Sequence, residues 1–282
     1  MNSSVGARRP VRGSASLWWW LGLMLSTAPV LAQVAATPPL VQPQAAGTRV
    51  WIGRYAEYEE YLRTARIERQ EGIDVGVTGP RRAFFASPGL AASAIVKNLP
   101  PGKQSNYFES YKSEIAAYKL DRMLQLDMVP PTVERRVGPD LVAVQLWIER
   151  ARMLKEIQAK KLSPPDPQAW NRQLHRFQVF DNLVGNIDSN AGNLLFDPEW
   201  SFVKVDHSRA FTATRTLLFA MTKIDRPFYD RVKALTERDL RREIGDLLET
   251  GALPALLSRR DAIVKTFEDL ARKNGEAAAF EP

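Results

Sequence analysis

The sequence contains no cysteine, which excludes disulfide bridges, thiolate nucleophiles and zinc sites built on cysteine. Histidine is nearly as scarce, because His175 and His207 are the only two in 282 residues. A metal centre built on several histidines is therefore also excluded. The rest of the composition, 45% hydrophobic and 25% charged, is that of a globular protein large enough for one domain or two lobes.

The sequence also has no long run of basic residues. Lys and Arg together number 39 against 32 Asp and Glu, which gives a net charge of +7. Three of these arginines lie in residues 1–32, which hold no acid, so the rest of the chain carries three charges fewer, or +4. Its basic residues are mixed with acids throughout, which predicts an ordinary solvated surface and no nucleic-acid partner.

Residues 1–32 have the pattern of a secretory signal peptide. Arg8, Arg9 and Arg12 precede the apolar stretch LWWWLGLMLSTAPVLA, whose last residues are small enough for cleavage before Gln33. This pattern predicts export to the periplasm or to the outside of the cell. The alternative is a retained anchor and membrane association, because tryptophan favours membrane interfaces, although the stretch is short for a spanning helix of about 20 residues.

The pattern of the remaining chain changes near residue 150. Residues 33–49 are rich in Pro, Ala and Gln and are predicted to be a flexible tether. Residues 50–149 are predicted to be strand-rich with one helix, SYKSEIAAYKLDRMLQL, and to contain the hairpin IDVGVTGPRRAFFA, the strand AASAIVKNL and the loop PPGKQSNYFE. Residues 150–282 are predicted to be mainly helical, starting with ARMLKEIQAKKL and including one β-hairpin. The chain is thus expected to be an α+β protein with a small β-rich lobe and a larger helical lobe.

The stretch DNLVGNIDSNAGNLLFDPEWSFVKVDHSRAF, residues 181–211, sets acids and amides around two short apolar runs. If LLF and FVKV pair as a hairpin about DPEW, Asn193 and Asp206 come to the same end of that hairpin. Asp188 lies in the loop that leads there. Hard oxygen ligands of this kind suit Mg²⁺, which usually shares phosphate groups of a substrate, and do not suit zinc or copper.

This arrangement is the one that phosphoryl transfer requires. An Asp accepts the proton of the attacking hydroxyl, while an Asn five residues later and an Asp at a strand end hold the metal ions. Asp188 is therefore predicted to be the catalytic base, and Asn193 and Asp206 the metal ligands. Two alternatives are a calcium-binding loop, which lacks its glycine at the sixth position, and a purely structural role of Asp188 in a turn.

The segments FDNLVGNIDSNAGNLL and VKVDHSRAF resemble the catalytic and metal-binding segments of the atypical kinase-like superfamily. That group includes the HipA-type bacterial kinases, the phosphoinositide kinases and the casein kinases of the secretory pathway. SEIAAYKLDRMLQLDMVPPTV is similar to the helix and strand that carry the glutamate of such kinases. The resemblance implies a two-lobed kinase-like fold, with an N-lobe at 50–149 and a C-lobe at 150–282, that uses ATP and Mg²⁺.

The same resemblance implies nucleotide-binding residues in the first lobe. Lys97, on the strand AIVKNL, would bind phosphates, and Glu114, on the helix that follows, would pair with it. The backbone of LWIE would bind an adenine edge, which makes Trp147 and Glu149 candidate cofactor-binding residues, with the ring of Trp147 expected to pack. GVTGP at residues 76–80 stands where a glycine-rich loop belongs, although the pattern G-x-G-x-x-G is missing.

The resemblance also implies an activity. The chain is expected to be an ATP- and Mg²⁺-dependent phosphotransferase acting on a hydroxyl of a protein Ser or Thr, a lipid headgroup or a small molecule. Two alternatives stay open: a non-catalytic kinase-like module in the exported compartment, which would bind a nucleotide, a metal or a partner protein, and transfer of a nucleotidyl group on the same fold. Ser189, after the predicted base, stands where related proteins often have a basic residue.

Overall fold

The structure of the chain is a computed structural model, which describes residues 49–73, 79–87, 89–104 and 107–281. The predicted signal peptide, nearly all of the predicted tether and residues 76–78 of GVTGP lie outside the described residues. The described residues belong to one compact unit. None of the helices among them combines the length and the apolar character that crossing a bilayer requires.

The first lobe is built on a five-stranded antiparallel sheet. Its strands are β1 (Ile67–Gly72), β2 (Arg81–Phe85), β3 (Ser93–Lys97), β6 (Thr132–Val137) and β7 (Asp140–Leu146). They lie in the order β1-β2-β3-β7-β6. Helix α1 (Tyr55–Thr64) covers one face, where it buries Tyr58 and Leu62 against β6 and β7.

The segment PPGKQSNYFE is a hairpin, so the prediction of a loop was wrong there. Its strands are β4 (Gly102–Gln104) and β5 (Tyr107–Glu109), which pair with each other in a sheet of their own. Strands of three residues are too short to show a clear alternation in the sequence, and the surrounding Pro, Gly and Asn are typical of loops. The hairpin leaves Tyr107 exposed and buries Glu109.

Helix α2 (Tyr111–Leu124) has a defined start and end. The side chain of Ser110 accepts a hydrogen bond from the N–H of Lys112, which satisfies a free donor of the first turn. Gln125, in the left-handed conformation, follows the last helical residue. Most side chains of the helix are buried, including the carboxylate of Glu114, so α2 is held between the two lobes instead of lying on the surface.

The second lobe is mainly helical. The predicted helix ARMLKEIQAKKL is shorter than expected, because its first residues pair as a strand with the hairpin that follows. The elements are β8 (Arg152–Met153), α3 (Leu154–Ala159), α4 (Pro167–Val184), β9 (Leu194–Phe196), β10 (Phe202–Lys204), β11 (Ile224–Asp225), α5 (Arg226–Ala234), α6 (Glu237–Ile244), a 3₁₀ turn (Gly245–Leu247), α7 (Ala252–Asn274), α8 (Glu276–Ala279) and β12 (Phe280–Glu281).

Helix α4 sets the position of the loop that carries the predicted base. Asp166 caps its start by accepting from the N–H groups of Gln168 and Ala169, and Pro167 occupies the first turn. Its last six residues are fully buried, and Gly185, with φ +62°, ends it in the left-handed conformation. The chain therefore leaves the helix in a fixed direction and enters residues 186–193.

The two lobes have separate hydrophobic cores. The core of the first lobe lies between α1 and the sheet and includes Trp51, Leu62 and Val144. The core of the second lobe packs α2, α4 and the later helices around Phe180 and Phe267. The α+β two-lobed architecture predicted from the sequence is confirmed, with α2 contributing to the larger core from its place in the first lobe.

Candidate functional site

A cleft of about 180 Å³ lies between the sheet of the first lobe and the β9–β10 hairpin of the second. Apolar side chains such as Ile95, Leu195 and Val205 form much of its wall. Lys97, Asn193 and Asp206 line the same cleft. An apolar cavity with a few convergent polar groups is the usual form of a small-molecule site.

Lys97 connects the two lobes at the base of this cleft. Its ammonium lies 2.6 Å from Oε1 of Glu114 on α2 and 2.8 Å from Oδ1 of Asp206 after β10. Glu114 also accepts a hydrogen bond of 3.0 Å from the backbone N–H of His207 through Oε2. The ion pair predicted between Lys97 and Glu114 is therefore present, and Asp206 joins it as a second carboxylate.

Burial and charge act in opposite directions on these groups. Burial by itself would lower the pKa of Lys97, but the carboxylates of Asp206 and Glu114 outweigh it and raise this pKa above the usual range. Burial would likewise raise the pKa of Glu114, yet Lys97 and the hydrogen bond from His207 lower it. Both side chains are thus held in their charged forms, which is the state that binding of a phosphate and of a cation requires.

Asn193 and Asp206 lie at the same end of the β9–β10 hairpin. The hairpin predicted about DPEW is present, and its register places Leu194 opposite Lys204. One residue further, the N–H of Val205 donates to the carbonyl of Asn193 over 3.3 Å, so Asp206 follows at once. Asp206 has φ +65°, a conformation that Asp tolerates better than most residues and that ends the strand at this point.

The atoms left over on these two side chains suit a hard cation. Asn193 donates its Nδ2 to the carbonyl of Asp188 over 3.1 Å, which fixes the amide and leaves Oδ1 as its acceptor. Asp206 uses Oδ1 for Lys97 and Ser208, which leaves Oδ2. No group of three or more His, Asp or Glu side chains arranged for a metal occurs in the described parts of the chain. A cation here would need waters and phosphate oxygens as further ligands, as Mg²⁺ usually does.

Asp188 is half-exposed in the loop between α4 and β9. Its N–H donates to the side chain of Asn186 over 3.1 Å, and its Oδ1 accepts from Nδ2 of Asn190 over 2.9 Å. Its Oδ2 lies 3.1 Å from Nη1 of Arg209. The carboxylate is thus oriented from two sides while part of it faces solvent, which leaves room for an incoming hydroxyl.

Of the two remaining predicted residues, one lies at the cleft and the other does not. Trp147 follows β7 and lines the cleft, with the guanidinium of Arg82 4.3 Å from the centre of its ring. Glu149 does not line the cleft. Its Oε1 pairs with Arg82 at 2.5 Å and accepts from the hydroxyl of Ser93 at 3.2 Å, so it holds the end of β7 against the sheet.

Lys204 is a residue beside the site that was not predicted from the sequence. Beneath the loop of Asp188, the fully buried Asp181 accepts a hydrogen bond from the hydroxyl of Ser189 and lies 3.6 Å from the fully buried ammonium of Lys204. This pair fixes the loop from below. Alternation along the sequence gives no clue to the burial of Lys204, since all three residues of β10 are buried.

The comparisons with known proteins concern the fold. No family profile matches the sequence, and no curated protein matches it significantly. Among solved structures, the Golgi casein kinase with Mn and ADP bound is 14% identical with a TM-score of 0.60, over 80% of this chain and 78% of that one. The chain therefore has a kinase-like fold.

Two further solved structures show the same kinase-like fold. The structure of hydra Fam20 with sugar is 13% identical with a TM-score of 0.60, over 80% of this chain and 92% of that one. The Helicobacter pylori proinflammatory kinase CtkA is 12% identical with a TM-score of 0.50, over 71% of this chain and 92% of that one. At these identities the likeness concerns the kinase-like backbone, and the roles of individual side chains rest on their own geometry.

Proposed function

We propose that the chain is an ATP- and Mg²⁺-dependent phosphotransferase that moves a phosphoryl group to a hydroxyl acceptor. The observation that carries this proposal is the junction at Lys97, where Glu114 from one lobe and Asp206 from the other meet a single ammonium. A structural core has no need of three charged groups that meet at an open cleft, two of them in its wall, since burying them is costly. A nucleoside triphosphate and a cation would give each of the three groups a role in binding.

Each group then has a defined task. Lys97, held by Glu114, would bind phosphate oxygens of the nucleotide, and the cleft wall at Trp147 would contact its base. Asn193 and Asp206 would hold Mg²⁺, which neutralises phosphate charge when bound. Asp188 would orient the acceptor hydroxyl and take up its proton. The acceptor oxygen forms a bond to the γ-phosphorus, the bond from that phosphorus to the bridging oxygen breaks, and the nucleoside diphosphate leaves.

The acceptor class is proposed only as a hydroxyl, on a protein Ser or Thr, a lipid headgroup or a small molecule. The neighbours in fold include a casein kinase of the Golgi, which favours a protein acceptor as the first to be tried. We also propose that the chain works after export, in the periplasm or outside the cell, as the pattern of residues 1–32 predicts. Fractionation of cells that express the chain with and without these residues tests that location.

The activity is tested with the protein lacking residues 1–32, labelled ATP and Mg²⁺, using dephosphorylated casein as the probe for the acceptor. Transfer of label by the parent protein and its loss in Asp206→Ala would support the proposal. Asp166→Ala serves as the matched control, because this carboxylate caps α4 and does not line the cleft. Equal labelling by the parent and Asp206→Ala would overturn the assignment of Asp206.

A measurement of nucleotide binding, compared with transfer of label, distinguishes a phosphotransferase from a non-catalytic module. MgATP should raise the melting temperature of the parent protein, because a ligand that binds the native state stabilises it. A shift that needs Lys97 and Asp206, with no label transferred to casein or to the chain itself, would favour a non-catalytic nucleotide-binding module. Nucleotidyl transfer would appear as a larger mass added to the modified product.

A further inference from the structure

Arg209 joins three parts of the molecule at the edge of the site. Its Nη1 lies 3.1 Å from Oδ2 of Asp188, while its Nε and Nη2 lie 2.6 and 2.5 Å from Oε1 of Glu109. Its guanidinium also lies 4.8 Å from the ring centre of Tyr107. Asp188 belongs to the larger lobe, whereas Glu109 and Tyr107 belong to the β4–β5 hairpin of the smaller one.

The segment that carries Arg209 is docked on the start of α2 through the main chain as well. The N–H of Ser110 donates to the carbonyl of Ser208 over 3.0 Å, and Glu114 accepts from the N–H of His207. Residues 207–209 therefore follow the position of the N-terminal turn of α2. Arg209 couples the position of this turn to Asp188, because its side chain contacts both Glu109 and Asp188.

We propose that Arg209 is a positioning residue that sets the orientation of the Asp188 carboxylate according to the place of α2 and its preceding hairpin. A planar guanidinium suits this task, since its fork can bind two carboxylates in fixed directions. This inference rests on the proposed function of Asp188, but it assigns roles to Arg209 and Glu109 that the function alone does not.

Glu109 holds the guanidinium of Arg209 on the side opposite Asp188. It is 2% exposed, so its carboxylate has little contact with water and is bound by Nε and Nη2 of Arg209 instead. Burial would lower the pKa of Arg209, but the hydrogen bond and charge of Glu109 outweigh it and raise that pKa. Arg209 thus stays charged while it contacts Asp188. A surface ion pair would not need a buried acid behind it, which sets this arrangement apart from an incidental contact.

The first test measures hydrolysis of MgATP, with water as the acceptor, in Arg209→Met and Glu109→Gln. Misplacing a general base costs part of its catalytic contribution, so kcat should fall about 10- to 100-fold in Arg209→Met and about 3- to 10-fold in Glu109→Gln. The KM for MgATP should stay within about two-fold, because neither residue contacts the cleft that would bind it. A fall in kcat for Arg209→Met with none for Glu109→Gln would overturn the linkage to the hairpin.

Arg209→Met leaves the buried Glu109 without its partner and can fold poorly for that reason alone. The double variant Glu109→Gln/Arg209→Met removes both charges and should regain stability while kcat stays low. Arg176→Met is the matched control for a lost ion pair, since Arg176 binds the buried Asp225 at 2.7 Å outside the cleft. It should lower the melting temperature and leave kcat unchanged. A double variant with the kcat of the parent would show that Arg209 acts on stability only.

Hydrogen exchange of the parent and Glu109→Gln gives a readout that does not need activity. If Arg209 passes on the position of the hairpin, exchange in residues 186–193 should be faster in Glu109→Gln, although Glu109 does not contact that loop. Exchange in α7 should be unaltered. Unaltered exchange in 186–193 would overturn the inference even if the enzyme is active. If instead the parent neither binds nor hydrolyses MgATP, the proposed function fails while altered exchange would still establish the linkage.

Discussion

Two of the buried cations among the described residues, Lys97 and Arg259, are held in opposite ways. Lys97, at the cleft, is paired with two carboxylates from different lobes. Arg259, on α7, has no exposed surface and contacts carbonyl oxygens of Leu183, Thr212 and Thr214. No carboxylate in the described parts of the chain pairs with it. The pKa of Lys97 is raised, whereas burial lowers the pKa of Arg259 to about 10.

The difference separates a group suited to ligand binding from one suited to structure. A phosphate can take the place of a carboxylate at Lys97 while a cation binds the carboxylate that is released, so these contacts can rearrange when a nucleotide enters. The carbonyls around Arg259 cannot leave, because they belong to the end of α4 and to the segment after Phe211. The C-terminal end of a helix carries partial negative charge, which compensates a guanidinium without any acid. Arg259 therefore fixes the backbone that follows the site.

Replacing Lys97 should have the largest effect. Lys97→Met keeps the length of the side chain and removes its charge, so the phosphate contact is lost. Phosphotransfer to casein should fall about 10²- to 10³-fold, as expected for one lost electrostatic contact in a site. The stabilisation by MgATP, measured as a shift in melting temperature, should vanish with it. Lys119→Met, on the exposed face of α2, is the control, and a Lys97→Met protein that keeps full activity would remove Lys97 from the site.

Replacing Arg259 should affect stability instead. Arg259→Met leaves buried carbonyls without a donor, so the free energy of unfolding should fall by about 3 kcal/mol. Urea unfolding measures this change, and Arg238→Met, at an arginine with an exposed side chain, should be neutral within about 0.5 kcal/mol. The shift in melting temperature caused by MgATP should survive in Arg259→Met. Its disappearance would mean that Arg259 belongs to the ligand-binding groups and would break the contrast with Lys97.

The features of the site that the sequence could predict are those that lie in segments with a clear local pattern. The helical spacing of α2 and the apolar runs LLF and FVKV predicted their elements correctly, and the spacing of Asp188, Asn193 and Asp206 follows from them. Lys97 was predicted from the resemblance to kinases, because it lies on a strand that precedes the helix of Glu114. Each of these features lies within a short window, where periodicity and turn residues suffice.

Long-range contacts were beyond sequence reasoning. Arg209 and Glu109 are 100 positions apart, and Glu109 lies in a segment whose hairpin was predicted to be a loop. Arg259 looks like any arginine in the run SRRD, since only the packing of α7 on α4 buries it. Glu149 was predicted at the nucleotide because LWIE lies where the chain passes between the lobes, and its side chain pairs with Arg82 and Ser93 on the sheet.

Asp121, on α2, is a buried acid that can be compared with Lys97 and Arg259. Replacing it should have the smallest effect of the three. It has no exposed surface, its Oδ1 accepts from the N–H of Met128, and its Oδ2 has no partner among the described residues. Burial raises its pKa to about 8, so the folded protein holds a proton that the unfolded chain releases near pH 4. Between pH 4 and pH 8 the protein therefore takes up a proton at Asp121 when it folds. The stability contributed by Asp121 falls as the pH rises through this range.

Asp121→Asn removes this proton linkage and keeps an oxygen for the N–H of Met128. At pH 7 we expect it to raise the free energy of unfolding by about 1–2 kcal/mol, and at pH 4 to change it little, since Asp121 is then neutral in both states for much of the population. Urea unfolding at both pH values measures the difference. Because a neutral amide needs no counter-charge, a gain at pH 7 would show that α2 tolerates a lone buried group only when it is uncharged, unlike Lys97, whose charge is held by its partners. A gain of equal size at both pH values would mean that Asp121 is not protonated in the folded state.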